Sequence, residues 1–267
     1  MRPRLFGLIL LVAVLALACD SGTDETREQK FEVGASPRLL VGAGNGDVIV
    51  RTGPDREIVV TSDVTRLENV DLDVTADGDV VTVRSVTTFS GNLLGDMAEG
   101  RVDFTITVPV NTEIDVGVGS GAVTIEGARA GGRATAAAGD VTLRDVSGDF
   151  TGGTGVGDIA ITNSSGSFQF TTGSGGITFE GELTPDGLNE LETGVGDVTV
   201  TIPDDNGIAL DVSVSDGSVS TEFAVADQPA GSPGRLSGTV GDGGAQLSIV
   251  VGVGSVDIRA ASPVTGP

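Results

Sequence analysis

The chain has 267 residues, with 38 acidic against 15 basic side chains and a formal net charge of −23. That balance argues against nucleic acid and against docking on anionic lipid, since both need clustered Lys and Arg. Histidine, tryptophan and tyrosine are absent, which removes His-dependent triads and general bases, most zinc and iron sites, and the aromatic platforms that commonly hold sugars. A single cysteine, Cys19, rules out an internal disulfide or a CxxC site. Glycine (42) and proline (10) make 52 of the 267 residues, below the roughly 25–30% of a low-complexity chain. The remainder is rich in Val, Ile, Thr and Asp, so the composition predicts a folded, all-β protein.

Residues 1–18 read as an export signal. Arg2 and Arg4 precede an uncharged apolar run, Leu5 to Ala18. The run is shorter than the about 20 residues of a membrane-spanning helix and fits a signal-peptide core. It ends in Leu15-Ala16-Leu17-Ala18-Cys19 and gives way at once to a polar stretch. This resembles the lipobox of bacterial lipoproteins, in which cleavage precedes a cysteine that carries the lipid. Cys19 is accordingly the candidate lipidation site. The alternative is an ordinary secretory peptide cut after Ala18, which would leave a lone thiol in an exported protein. Removal of residues 1–18 takes away two arginines, leaving 13 basic against 38 acidic side chains and a net charge of −25.

Residues 19–36 are polar and acidic and read as a tether. From residue 37 to residue 262 a single β-strand-repeat domain is expected, with 263–267 as a short tail. Within it, Arg38–Gly53 carries an Asn45-Gly46 turn signal, and the segments at 57–66, 70–86 and 101–110 alternate apolar and polar residues. The stretch around 85–100 reads as a longer loop, and Asp186–Glu192 is the nearest approach to a helical turn.

A repeat begins near residue 112. Glycine-containing pairs recur every nine residues, among them Gly121-Ala122, Gly139-Asp140, Gly148-Asp149, Gly157-Asp158, Gly166-Ser167 and Gly175-Gly176. Chemical identity recurs at 18 rather than at nine: Val123, Val141, Ile159 and Ile177 form one series, Phe150 and Phe168 another. The phase slips by three around 182–197 and resumes at Gly196-Asp197. This pattern predicts a parallel β-helix or related solenoid with coils of about 18 residues, residue i stacking on i+18. The alternative is an antiparallel β-meander sandwich, in which each glycine pair is a hairpin turn. The less regular part, 38–111, is expected to cap or extend the stack.

The strings VDFTITVPVNTEIDVGVGSGAVTIEG, TGVGDIAITNSSGSF, TGSGGITFEG and TGVGDVTVTIP resemble the bacterial adhesin-type β-strand-repeat proteins of domain of unknown function 4097. The resemblance covers roughly residues 38–260. It implies a glycine-rich solenoid at the cell envelope and brings no catalytic residues with it.

Few residues suggest chemistry. Asp140 and Asp158 fall in neighbouring coils on one edge, with Asp149 on the opposite edge. They are weak calcium candidates by analogy with nonapeptide β-rolls. The favoured reading is that each caps its own corner by accepting backbone N–H groups. The GxG strings precede strands rather than helices and lack the context of a nucleotide loop. The Ala/Gly-rich segment 130–139 could form a flat docking face. The expectation is a non-enzymatic, lipid-anchored envelope protein with an adhesive or structural surface, without cofactor, on the outer face of the bacterial cell membrane (the outer membrane being an alternative site). Its partners would be the membrane, through the N-terminal lipid, and an envelope protein or surface polymer. The rival functions are an accessory lipoprotein in envelope-stress signalling and a β-helix polysaccharide-active enzyme.

Overall fold

Period-two alternation with Val, Ile and Thr at successive positions gives extended strands, and glycine at the junctions lets the chain turn between them. The computed structural model describes residues 15–16, 24–90, 98–226 and 234–261. In chain order the strands begin with β1 (Leu15–Ala16), β2 (Glu25–Glu32), β3 (Arg38–Asn45), β4 (Val48–Thr52), β5 (Glu57–Thr65), β6 (Val70–Asp77) and β7 (Val80–Thr87), with one 3₁₀ turn at Leu67–Asn69. There follow β8 (Phe89–Ser90), β9 (Ala98–Glu99), β10 (Arg101–Val108), β11 (Glu113–Ser120), β12 (Val123–Glu126), β13 (Gly132–Ala138), β14 (Val141–Arg144) and β15 (Ser147–Val156). The chain ends with β16 (Ile159–Ser174), β17 (Ile177–Leu183), β18 (Leu188–Val195), β19 (Val198–Ile202), β20 (Ile208–Thr221), β21 (Arg235–Val240) and β22 (Ala245–Ala260).

The central coils are parallel and in register at 18 residues. Val123 pairs with Val141, Val141 with Ile159 and Ile159 with Ile177. On the other face Gly132 pairs with Phe150 and Phe150 with Phe168. These parallel registers establish the solenoid and exclude the meander. The expected slip of three is present: Phe170 pairs with Leu191 and Ile177 with Val198. The added residues form a turn at 184–187, closed by the Gly187 N–H on the Thr184 carbonyl, with Asp186 in the left-handed region at φ 60°.

The interior is filled by stacked columns. Val123, Val141 and Ile159, and on the same face Ile125, Leu143 and Ile161, are at most 1% exposed. Gly132 and Gly152, which interrupt the apolar pattern in sequence, stand beside phenylalanines in register, Phe150 and Phe170. Small residues thus make room for large ones in the next coil. The Phe150 and Phe168 rings lie parallel with centroids 6.3 Å apart, and Phe168 meets Phe179 of the opposite face at 5.3 Å. Asn189 continues the phenylalanine column as a buried polar residue. Its Oδ1 accepts the Phe168 N–H at 2.9 Å and its Nδ2 donates to the Gln246 carbonyl at 3.0 Å.

The ends depart from simple stacking. At the N-terminal end β3 and β4 are flanked on one side by β7 and β10 and on the other by β11 and β12. Antiparallel strands close this end, β6 on β7 and β5 on β10. The Asn45-Gly46 signal is therefore a solenoid corner rather than a hairpin. At the C-terminal end β22 lies between β18–β19 on one side and β20 on the other, so the last strand occupies the next-to-last coil.

Two local expectations are corrected. Glu25–Glu32, read as part of the tether, is a strand that pairs antiparallel with β5 and buries Phe31. A single apolar residue at the core-facing register suffices to dock it. Leu188–Val195, which contains much of the helical-looking DGLNELE, is a strand because Leu191 and Thr193 are required in the stacked columns. The expected loop at 85–100 contains the end of β7 and the short pair β8–β9, with 91–97 outside the described residues.

Candidate interaction surface

One corner of the solenoid repeats the string Thr-Gly-x-Gly-Asp or a close variant, and each of its positions has a mechanical task. The glycines at 121, 139, 157, 175 and 196 have φ between 139° and 151°. A Cβ on any of them would stand 2.0–2.2 Å from the carbonyl oxygen of the corner glycine in the preceding coil. Only glycine fits this column. The threonines Thr154, Thr172 and Thr193 are buried, and each hydroxyl donates to a corner carbonyl of the preceding coil: Gly139, Gly157 and Gly175, at 2.8–3.0 Å.

The aspartates complete the corner. Asp140 Oδ1 accepts the Asp158 N–H, Asp158 Oδ1 the Gly176 N–H and Asp197 Oδ1 the Ser255 N–H, each at 2.8 Å. Asp47 Oδ1 accepts the Ala122 N–H in the same way. Asp140 and Asp158 are therefore brought to one edge as expected, but each caps the neighbouring coil instead of its own corner. The side chain that sequence reasoning assigns to an Asx turn is a rivet between coils. Among the described residues no group of three or more His, Cys, Asp or Glu side chains is placed to hold a metal ion. Asp149 lies at the opposite corner, in register with Ser167. Sequence reasoning misses the buried threonines; the signal that marks them is a Thr preceding each GxG at 154, 172 and 193.

Several basic side chains on the outer surface are paired with carboxylates in short ladders. Glu126 bridges Arg51 at 3.0 Å and Arg144 at 3.8 Å. Arg101 holds Asp47 and Asp103, and the hydrogen bond to Asp103 raises the guanidinium above its ordinary value. Asp257 is held below the ordinary carboxylate range by hydrogen bonds from Arg259 and Ser220.

The face formed by β7, β3, β11 and β13 carries a shallow trough of about 650 Å³. Its floor contains Gly42, Gly44, Gly117 and Gly119, with Ala137 and Thr135 beyond; Arg84, Val86 and Arg133 stand at its sides. The Ala/Gly-rich segment 130–139, read as a possible flat docking face, supplies one side of it. Among the described residues no acidic side chain lines it. Cys19 lies outside the described residues, and among those described no helix is long and apolar enough to cross a membrane.

Residues 153–259 match the model of the Toastrack DUF4097 family. No curated protein matches the chain. Among solved structures, the chain is similar to a "putative cell adhesion protein" of Clostridium sporogenes, with 15% identity, a TM-score of 0.40 and coverage of 88% of this chain and all of that one. It is also similar to a "putative adhesin" of Bacteroides fragilis, at 13% identity and a TM-score of 0.40, covering 90% of this chain and 98% of that one. A "putative lipid binding protein" of Parabacteroides distasonis is 11% identical with a TM-score of 0.32, over 90% of this chain and 98% of that one. What the comparisons place on this chain is thus a likeness of residues 153–259 to the Toastrack DUF4097 family.

Proposed function

We propose that this is a non-enzymatic, lipid-anchored protein on the outer face of the bacterial cell membrane, whose solenoid serves as a surface for adhesive or structural contact. The observation that carries the reading is the filled interior: the columns are closed by Phe150, Phe168, Phe170 and Phe179, all at most 1% exposed. A packed rod of this kind offers its partners only its outer faces. The Leu15–Cys19 string supports anchoring, with two or three acyl chains contributing about 0.8 kcal/mol per buried methylene.

Two measurements test the reading. Fractionation of cells expressing the protein and its Cys19→Ala variant should place the parent in the membrane and the variant in soluble or unprocessed form; equal membrane retention of both overturns the anchor. A pull-down from detergent-solubilised membranes should recover envelope polymer or surface protein. Stoichiometric recovery of one membrane sensor would replace the adhesive reading with the signalling one.

A further inference from the structure

The glycines of this protein fall into two kinds. Those at the corner are dictated by backbone conformation and by the carbonyl of the preceding coil. Gly42 and Gly117 are not: neither has positive φ. A Cβ on Gly42 would meet nothing within 4 Å, and one on Gly117 would make only ordinary contacts with the Thr135 hydroxyl at 3.5 Å and the Val41 carbonyl at 4.0 Å. The two are direct neighbours across β3 and β11. Glycine inside a strand is destabilising relative to alanine, and nothing in the fold requires it here. What these residues supply is bare sheet at the floor of the trough.

The side walls have their own signature. Arg84 is paired in register with Gly42, and Arg133 lies on the next strand beyond Gly117. Both are exposed. Their acidic cross-strand neighbours are Asp73 and Asp115. Among the described residues no ion pair engages either guanidinium, whereas Arg38, Arg51, Arg101, Arg144 and Arg259 are all paired. The strands carrying Arg84 and Arg133 are three strand spacings apart, about 14 Å at about 4.8 Å each.

We propose that this trough binds an extended polysaccharide bearing carboxylates, lying across β7, β3, β11 and β13. Arg84 and Arg133 hold two of its carboxylates in bidentate pairs. The glycine floor lets the sugar rings approach the backbone, and the Thr87 and Thr135 hydroxyls meet ring hydroxyls. Carboxylates beyond a Debye length of about 8 Å are screened at physiological ionic strength; Asp73 and Asp115 lie within it, so the ligand's carboxylates must out-compete these two for the guanidinium groups. The proposal rests on the adhesive reading above and names the ligand of that surface.

The test measures binding of the full chain, at physiological ionic strength, to immobilised polygalacturonate, with neutral galactan and polyphosphate as comparison surfaces. Retention on polygalacturonate alone is expected. Gly42→Val should weaken it more than tenfold while melting no lower than the parent, since the added side chain enters open space. The double variant R84S/R133S should weaken it equally. No retention of the parent, or undiminished retention of Gly42→Val, overturns the trough as the site. Equal retention on polyphosphate overturns the carboxylated sugar. Binding of the parent to whole envelope that survives both variants would refute the trough and leave the adhesive reading standing.

Discussion

Replacing Gly157 by alanine should destabilise the solenoid at its corner, and the size of the effect can be worked from the contacts there. Gly157 has φ 147°, a region that costs a side chain about 1–3 kcal/mol. The new Cβ would sit 2.2 Å from the Gly139 carbonyl oxygen, which must therefore move. That oxygen accepts the buried Thr154 hydroxyl at 2.8 Å, so a hydrogen bond contributing about 1 kcal/mol is also weakened. The total is about 3 kcal/mol. At about 2–4 °C per kcal/mol for a protein of this size, the midpoint should fall by about 6–12 °C. Gly42→Ala is the control of opposite sign: with no positive φ and no contact within 4 Å, it should raise the midpoint by about 1–4 °C through strand propensity and lower chain entropy in the unfolded state. Far-UV circular dichroism during thermal unfolding measures both. A Gly157→Ala midpoint within about 1 °C of the parent, or a Gly42→Ala loss as large as that expected of Gly157→Ala, would refute the division of the glycines into two kinds.

Other expectations follow from the columns and the charged ladders. Ile159→Asp places an unpaired charge between Val141 and Ile177 and should cost several kcal/mol, whereas Thr178→Asp, exposed and flanked by the uncharged Ala160 and Thr199, should change stability by about 0.5 kcal/mol or less; equal effects on chemical denaturation would contradict the strand phase. Cysteines at Thr142 and Ala160, direct neighbours on parallel strands, should crosslink readily in a Cys19→Ala background. The pair at Thr142 and Thr151, on different faces, should not, and mass spectrometry of oxidised samples distinguishes the two. Chelator and millimolar calcium should give similar melting midpoints, because Asp140 and Asp158 already spend an oxygen each on backbone amides; a rise of tens of degrees with calcium would make them ligands. The Asp257 carboxyl, lowered by Arg259 and Ser220, contributes stability that is present above the ordinary carboxylate range and lost as the pH falls through its lowered value. Asp257→Asn should thus lose at most about 1 kcal/mol at neutral pH, a difference that disappears as the pH falls through the lowered carboxyl value; a pH-independent difference would contradict the linkage.

The columns Val123–Val141–Ile159–Ile177 and Phe150–Phe168 are legible in the sequence because each side chain meets its own kind at a fixed step, and even the slip of three shows in the spacing of the glycine pairs alone. The corner rivets are half legible. Gly139-Asp140 and Gly157-Asp158 mark a turn, but whether a carboxylate reaches its own amide or the next coil's depends on the stacking distance and not on local order. The position of β22 is not legible at all. Every coil offers the same two edges and the same alternation, so nothing in Ala245–Ala260 distinguishes a final coil from an inserted one. β2 is obscured for a related reason: its pairing with β5 is made by backbone groups, and only Phe31 shows in composition. The trough escapes a linear reading because its floor and walls come from β3, β7, β11 and β13, residues far apart in the chain that meet only across the sheet.

The position of β22 makes the carboxyl-terminal strand a keystone. In a solenoid wound in chain order, each new coil adds to a finished edge and the last one can fray without consequence. Among the described residues β20 pairs with the stack only through β22, from Ile208↔Ala245 to Thr221↔Ile258. Before residue 260 has been synthesised, β20 lacks the strand that it pairs with in the stack, and the β18–β19 edge that β22 covers stands open. The segment from β20 to β22 therefore closes in a single late event. Nicking after Val240 would release two coils together, where a conventional stack would lose one.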